Sequence, residues 1–293
     1  IRSAEILKIY GRLDSSKSIV KVGEYGLSAA MTLDQILSIV ASGKSRTRPF
    51  TVPEGYNIFE IADLAEKAGI AKAFDFLKKA RDPQYASQLV GFEVPSVEGY
   101  LFPETYQIAR NTNLDQLLKM MVDLFKFNFK QIQIPPTMST WTTHQIVTLA
   151  SIVEKETGAA WERPLISSVF HNRLRLRMKL QTDPTIIYGI ADETGRYEIN
   201  IRRDDIRRPT RYNTYVIPGL PPGPIANPGR LALEAAVQPE ESEYLFFVSK
   251  NDGTHIFSKT YQDHNKAVAE WQKNRANREG RSWRDLNQKK KSN

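Results

Sequence analysis

A chain of 293 residues with 41% hydrophobic content carries enough apolar material for two domains of ordinary size, and is not a disordered polymer. It has no cysteine, which excludes disulfides and thiolate metal sites, and no apolar run approaches the roughly 18 residues that a membrane span needs. Lysine and arginine number 41 against 33 acids, and the net charge of +8 favours anionic partners: a membrane surface, a cell-wall polymer or a nucleic acid. No signal peptide opens the chain, which begins at Ile1 without a Met, so an anchor or signal upstream stays open.

Residues 1 to 17 read as a short helix ending in Asp14-Ser15-Ser16-Lys17, and Ile19, Val20 and Val22 as a strand. Thr32 followed by Gln35 is a capping box, Leu33, Ile36, Leu37 and Val40 form one apolar helix face, and Gly43 ends it. A strand around Thr47 to Val52 runs into the turn Pro53-Glu54-Gly55. Asn57 and Glu60 repeat the start signal before a second helix that Gly69 stops. Two strands alternating with two helices make residues 1–90 a small α+β module, a binding or spacing element rather than an active site. Residues 70 to 112 read as mixed and loop-rich, with Val97 to Tyr106 as a wall of aromatic packing. Residues 91–130 are a connecting segment ending in a helix, Leu114 to Phe129, capped by Asn113.

The stretch Thr143 to Glu156 is apolar at helical spacing through Ile146, Val147, Leu149, Ala150, Ile152 and Val153, with Thr143 as N-cap and Gly158 as stop. Its last turn carries two acids, Glu154 and Glu156. The helix dipole is negative there and burial disfavours charge, so both effects raise a carboxyl pKa, as a general acid near neutral pH requires. Two solvated helix-end glutamates are an equal alternative. A helix from Trp161 to Met178 follows, with Pro164 in its first turn, then Asp183 as N-cap and Pro184 at N1 of a short helix carrying Ile186, Ile187 and Tyr188. The stretch from Asp192 to Arg230 is long and irregular, and its aromatics and Pro-Gly pairs argue for an ordered wall. Asn227 and Pro228 start a helix through Val237. Tyr244 to Ser249 and Thr254 to Ser258 form a hairpin around Asn251-Asp252-Gly253, and a helix from Thr260 to about Ala276 closes the fold. Residues 131–280 thus form the domain in which chemistry is expected, and the basic tail 281–293 is expected to be disordered.

Metal and nucleotide motifs are missing. His144, His171, His255 and His264 show no metal-binding spacing, there is no phosphate-cradling glycine loop, and no Gly-x-Ser-x-Gly elbow occurs. The arginines at 202, 203, 207, 208 and 211 are interrupted by Asp204 and Asp205 and read as a solvated, salt-bridged face. Elimination leaves the two glutamates. A single desolvated glutamic acid suits glycosidic cleavage, in which a poor leaving-group oxygen must be protonated. Glu154 and Glu156 point about 200° apart on a helix, so they cannot form a hydrolytic pair, and periodicity does not choose between them.

The segments Val97 to Tyr106, Ala150 to Thr157, Arg173-Leu174, Leu180 to Tyr188, Tyr212 to Tyr215, Leu220 to Gly229 and Phe257 to Asn265, in this order, resemble the MltG/YceG family of endolytic murein transglycosylases. Val52-Pro53-Glu54-Gly55 and its surroundings resemble that family's LysM-like region. The resemblance implies an α+β protein: a LysM-like N-terminal module, then a mainly helical lytic-transglycosylase-type domain with a β-hairpin. It implies that Glu156, in the pair Glu156-Thr157, is the catalytic acid, with Glu154 as a neighbour. Gln181 matches a motif lining the sugar cleft, and Tyr212-Asn213 a Tyr-Asn motif facing the acid. Glu154 and Tyr188, in the matched segments, are carried as further substrate contacts, whereas Asp183 has a structural role as an N-cap.

No metal and no cofactor are implied. The implied substrate is peptidoglycan, cut without water to leave 1,6-anhydro ends, with cell-wall synthases as possible partners. The implied location is the bacterial inner membrane, through one N-terminal helix absent from this chain, with the catalytic part in the periplasm or on the outer face. Two other classes remain as alternatives: a non-catalytic peptidoglycan-binding scaffold, and a nucleic-acid-binding protein resting on net charge alone.

Overall fold

A computed structural model describes residues 23–43, 46–156, 159–274 and 277. The helix and strand expected before residue 23, the Thr157 and Gly158 signals and the basic tail lie outside them. The architecture is mixed α and β. Helix α1 (Leu33–Ser42) carries the Thr32–Gln35 capping box and ends at Gly43 in the left-handed conformation. Strand β1 (Thr47–Val52) leads to α2 (Ile58–Lys67), whose cap is the reciprocal Asn57–Glu60 box. The segment read as loop-rich contains two more helices, α3 (Ala73–Ala80) and α4 (Pro83–Val90). Asp82 caps the second of these, accepting hydrogen bonds from the backbone N–H groups of Gln84 and Tyr85.

Strand β2 (Glu104–Ala109) pairs antiparallel with β1, Phe50 opposite Tyr106. The aromatic segment is thus partly strand, and the partner of β1 lies beyond residue 90, where the N-terminal module was expected to end. Buried Phe50 and Val52 on one strand and Tyr106 and Ile108 on the other share a face, as the two-residue period requires.

Helix α5 (Leu114–Phe129) then leads to α6 (Thr143–Glu156), the centre of the molecule. Every residue of α6 from Ile146 to Glu154 is buried, so the helix is covered all round. It packs against α7 (Arg163–Arg175) and α9 (Arg230–Val237), with α8 (Asp183–Thr194) at its C-terminal end. Strands β3 (Phe246–Ser249) and β4 (His255–Ser258) form the hairpin, with Asn251 and Gly253 at positive φ in its turn, followed by α10 (Tyr261–Val268). One apolar cluster runs from Phe50 to Val237 and joins β1, β2 and α2 to the later helices.

The proline- and glycine-rich wall is ordered by Asn227, which is fully buried. Its Oδ1 accepts from the backbone N–H groups of Gly99 (2.9 Å) and Leu101 (2.8 Å), and its Nδ2 donates to the Tyr56 carbonyl and to Glu98 Oε1, both at 2.9 Å. A buried amide with its donors and acceptors satisfied fixes three chain segments at once. Among the described residues no helix is long and apolar enough to cross a membrane.

Candidate active site

Glu156 is the last residue of α6, and its half-buried side chain lies on the lining of a cavity of about 500 Å³. Six pieces of chain meet there. Helix α6 brings Glu156, and α7 brings Arg173. The turn into α8 brings Leu180, Gln181 and Asp183, the irregular stretch brings Tyr215, and the hairpin and α10 supply Phe246, His255, Tyr261 and His264. The Thr182 hydroxyl donates to Glu156 Oε1. Burial pushes the Glu156 carboxyl up to about 7; the Thr182 hydrogen bond opposes this, the negative charge of Asp183 adds to it, and the Arg173 cation opposes it. A group with that value both gives and takes a proton near neutral pH.

Arg173 ties the walls together. It is buried, its Nε donates to the Leu245 carbonyl (2.7 Å), and its Nη1 donates to the Leu180 carbonyl (2.9 Å), so one guanidinium joins the hairpin to the turn carrying Gln181. It also lies 5.2 Å from the Phe246 ring centroid. Gln181 adopts φ 51° with its side chain exposed to the cavity, a strained backbone for a non-glycine residue. Asp183 is not the N-cap. Thr182 holds that position, without a side-chain bond to the helix, and Asp183 is the first helical residue, its Oδ1 accepting the Tyr215 hydroxyl at 2.7 Å.

The structure brings Glu156 and Gln181 together but not the other expected site residues. Glu154 faces away from the cavity, into a buried ion pair with Arg163 (2.8 Å), and its Oε2 accepts from the Gly229 N–H (3.0 Å). The 200° between the two glutamates separates a framework acid from a cavity acid. Tyr188 is buried, hydrogen-bonded to Glu98 and packed edge-on against Tyr212 with ring centroids 4.8 Å apart. Asn213 is fully buried, its Nδ2 donating to the carbonyls of Ile206 (3.0 Å) and Arg208 (2.8 Å) and its Oδ1 accepting from the Tyr215 N–H (2.9 Å).

The Tyr212-Asn213 pair is therefore scaffold, and Tyr215, two residues on, is the tyrosine that reaches the cavity. Thr214 adds to the scaffold, its Oγ1 accepting from the Thr182 N–H at 3.1 Å. Thr182, Arg173 and Tyr215 all lay in segments singled out in the sequence. Their placement around the acid needed the tertiary arrangement.

Three of the four histidines have polar partners, whereas the buried Nδ1 of His264, on the cavity lining, has none among the described residues. His144 bonds the Tyr100 hydroxyl and the Pro222 carbonyl, His171 the Ala236 carbonyl, and His255 the buried Glu162. Among the described residues no group of three potential metal ligands occurs.

A mixed α and β protein whose cavity is lined by Glu156, its carboxyl raised to about 7, and by Asp183 presents a candidate carboxylate acid–base site. The chain belongs to the YceG-like family, which matches residues 1–270. It is 32% identical over 284 residues, 91% of this chain and 77% of its relative, to an endolytic murein transglycosylase of Bacillus subtilis. A Streptococcus pneumoniae protein of the same name is 30% identical over 86% of this chain and half of its own length. The crystal structure of a YceG-like protein from Listeria monocytogenes superposes with a TM-score of 0.67 at 34% identity, covering 90% of both chains.

Proposed function

We propose that this protein is an endolytic murein transglycosylase that cuts the bond between N-acetylmuramic acid and N-acetylglucosamine within nascent strands and so limits their length. The observation that carries the reading is the Glu156 carboxyl group, half-buried on the cavity lining and raised to about 7. The relatives' names supply the substrate class.

In the proposed reaction Glu156 is protonated at the start and donates that proton to the glycosidic oxygen as the bond to muramic C1 breaks. The carboxylate left behind takes the proton from the muramic C6 hydroxyl as O6 attacks C1, which closes the 1,6-anhydro ring and returns Glu156 to its first state. A pKa near 7 serves both halves, because neither proton transfer is then strongly uphill. Gln181 and Tyr215 supply polar contacts to the sugar, and the Arg173 cation steadies the carboxylate between the two transfers.

We place the activity at the outer face of the bacterial inner membrane, with cell-wall synthases as partners. The LysM-like part is read as extending through β2 to residue 109, since β1 has its strand partner there.

The test is mass analysis of the products released from intact, uncrosslinked glycan strands. Internal fragments ending in 1,6-anhydromuramic acid are expected, and Glu156→Gln is expected to release none. Reducing ends would make the protein a hydrolase. Binding without any cleavage across pH 5 to 9 would make it a glycan-binding scaffold.

A further inference from the structure

A second cavity, of about 440 Å³, adjoins the first, and Asp183 lines both. Its floor is apolar, made by Pro184, Ile187, Ile199, Ile201 and Ile206, and its rim carries Arg202 and Arg203. Ile199 is 56% exposed and Ile206 38%, so these isoleucines face an open groove rather than the core. Of the neighbouring arginines, Arg208 pairs with Glu193 at 2.7 Å and Arg211 with Asp192 at 2.8 Å. Among the described residues the guanidinium groups of Arg202 and Arg203 take part in no ion pair, although Asp204 and Asp205 are adjacent in sequence. Asp205 is instead turned back to accept the Arg202 backbone N–H at 2.8 Å. Within the basic cluster, Arg208 and Arg211 are thus paired, whereas Arg202 and Arg203 line the apolar groove.

We propose that this groove binds the short anionic peptide carried by the muramic sugar whose bond is cut at Glu156. The proposal rests on the transglycosylase reading and adds a subsite to it. Three features of the groove match that occupant. At the end shared with the catalytic cavity, Asp183 engages Tyr215 through Oδ1, and its second oxygen is available to an amide N–H of the peptide. The isoleucine floor suits alanyl methyl groups. The guanidinium groups of Arg202 and Arg203, in no ion pair among the described residues, suit peptide carboxylates, a pairing in which arginine makes two parallel hydrogen bonds. The volume lies within the range of ~300 to 1,000 Å³ usual for small-ligand sites.

The experiment compares two uncrosslinked glycan substrates, one carrying its stem peptides and one stripped of them by an amidase, with wild type and with the Arg202→Ala/Arg203→Ala double variant. Wild type is expected to cleave the peptide-bearing strands with a kcat/KM about tenfold higher, the scale of one or two charge-assisted hydrogen bonds. In the double variant that ratio is expected to fall to about one.

A second arm titrates a soluble muramyl peptide into Glu156→Gln protein, with and without the arginine substitutions, and expects about tenfold weaker binding without the arginines. Equal cleavage of the two substrates by wild type, or a ratio and an affinity unmoved by the double substitution, overturns the proposal. So does binding to vesicles of anionic lipid that the double substitution abolishes while peptide binding is unchanged, which would assign the arginines to a membrane surface. Absence of cleavage on either glycan overturns the transglycosylase reading, and the binding arm still decides whether the groove takes the peptide.

Discussion

The hydroxyl of Thr182 donates to the carboxyl of Glu156, joining the N-cap of α8 to the last residue of α6. That bond favours the ionised carboxylate, whereas the charge of Asp183 disfavours it, so the two neighbours pull the Glu156 pKa in opposite directions. If Glu156 must be protonated to start the reaction, activity falls as pH rises through its pKa. Thr182→Val is expected to move that descending limb to higher pH, and Asp183→Asn to lower pH, each by about one unit. The pH dependence of kcat/KM on a defined glycan checks this, and shifts of the same sign for both variants would refute the assignment of the acid.

Glu154 is expected to matter for stability and not for chemistry. Glu154→Gln leaves Arg163 buried with only the weaker contact to Glu54 at 3.5 Å, and breaking a buried pair from one side costs ~3 to 5 kcal/mol. Urea unfolding should show that loss, while the folded protein keeps a descending limb near pH 7. A variant of normal stability without activity would return Glu154 to the catalytic site.

Glu98 makes the fold sensitive to alkali. Fully buried beneath the aromatic wall, it accepts from the Ile58 N–H at 2.9 Å, yet burial pushes its carboxyl up to about 8. Its folded pKa lies above the ordinary 4.5, so the folded state holds a proton that the unfolded state has released across that window. The stability this contributes is complete below about pH 4.5 and is lost as pH rises through 8, with a limiting slope of ~1.4 kcal/mol per pH unit. Glu156 adds the same trend up to about 7. Unfolding free energies at pH 5 and pH 8.5 should therefore differ, and Glu98→Gln should flatten the difference.

Gly99 allows the wall to close over α6. Its φ is 87°, and a Cβ there would lie 2.5 Å from Pro224 Cγ and 2.8 Å from Val147 Cγ1. Gly99→Ala is expected to cost ~2 to 4 kcal/mol through left-handed strain and overpacking together. A melting temperature equal to that of wild type would show that the wall can shift.

The elements with local causes were legible in the chain. Thr32 with Gln35, Asn57 with Glu60, and Asn113 each begin a helix in which they act within three residues of themselves, and the hairpin turn at 251–253 is likewise local. Helix α4 carried readable signals, Asp82-Pro83 and Gly91, whereas α3 begins after Lys72 without a side-chain cap; both are short, and the aromatic run beyond them makes the whole region read as a loop. Strand β2 shows only two alternations, Tyr106 and Ile108, too few to separate a strand from a packed loop without its partner β1.

By itself the sequence determined the buried central helix and its two terminal acids, because helical periodicity and helix ends are properties of neighbours along the chain. It placed Glu154 and Glu156 on opposite sides of α6 but gave no means of telling which side faced a cavity. That was decided by residues far away: Arg163 and Gly229 enclose one acid, while Thr182, Arg173 and Asp183 surround the other. The same holds for the four-residue motif at 212–215, where the tyrosine that packs and the tyrosine that lines the cavity are three positions apart. Desolvation and charge act through space, so a pKa near 7 at Glu156 exists only once chain segments tens of residues apart have been brought to the same few ångströms.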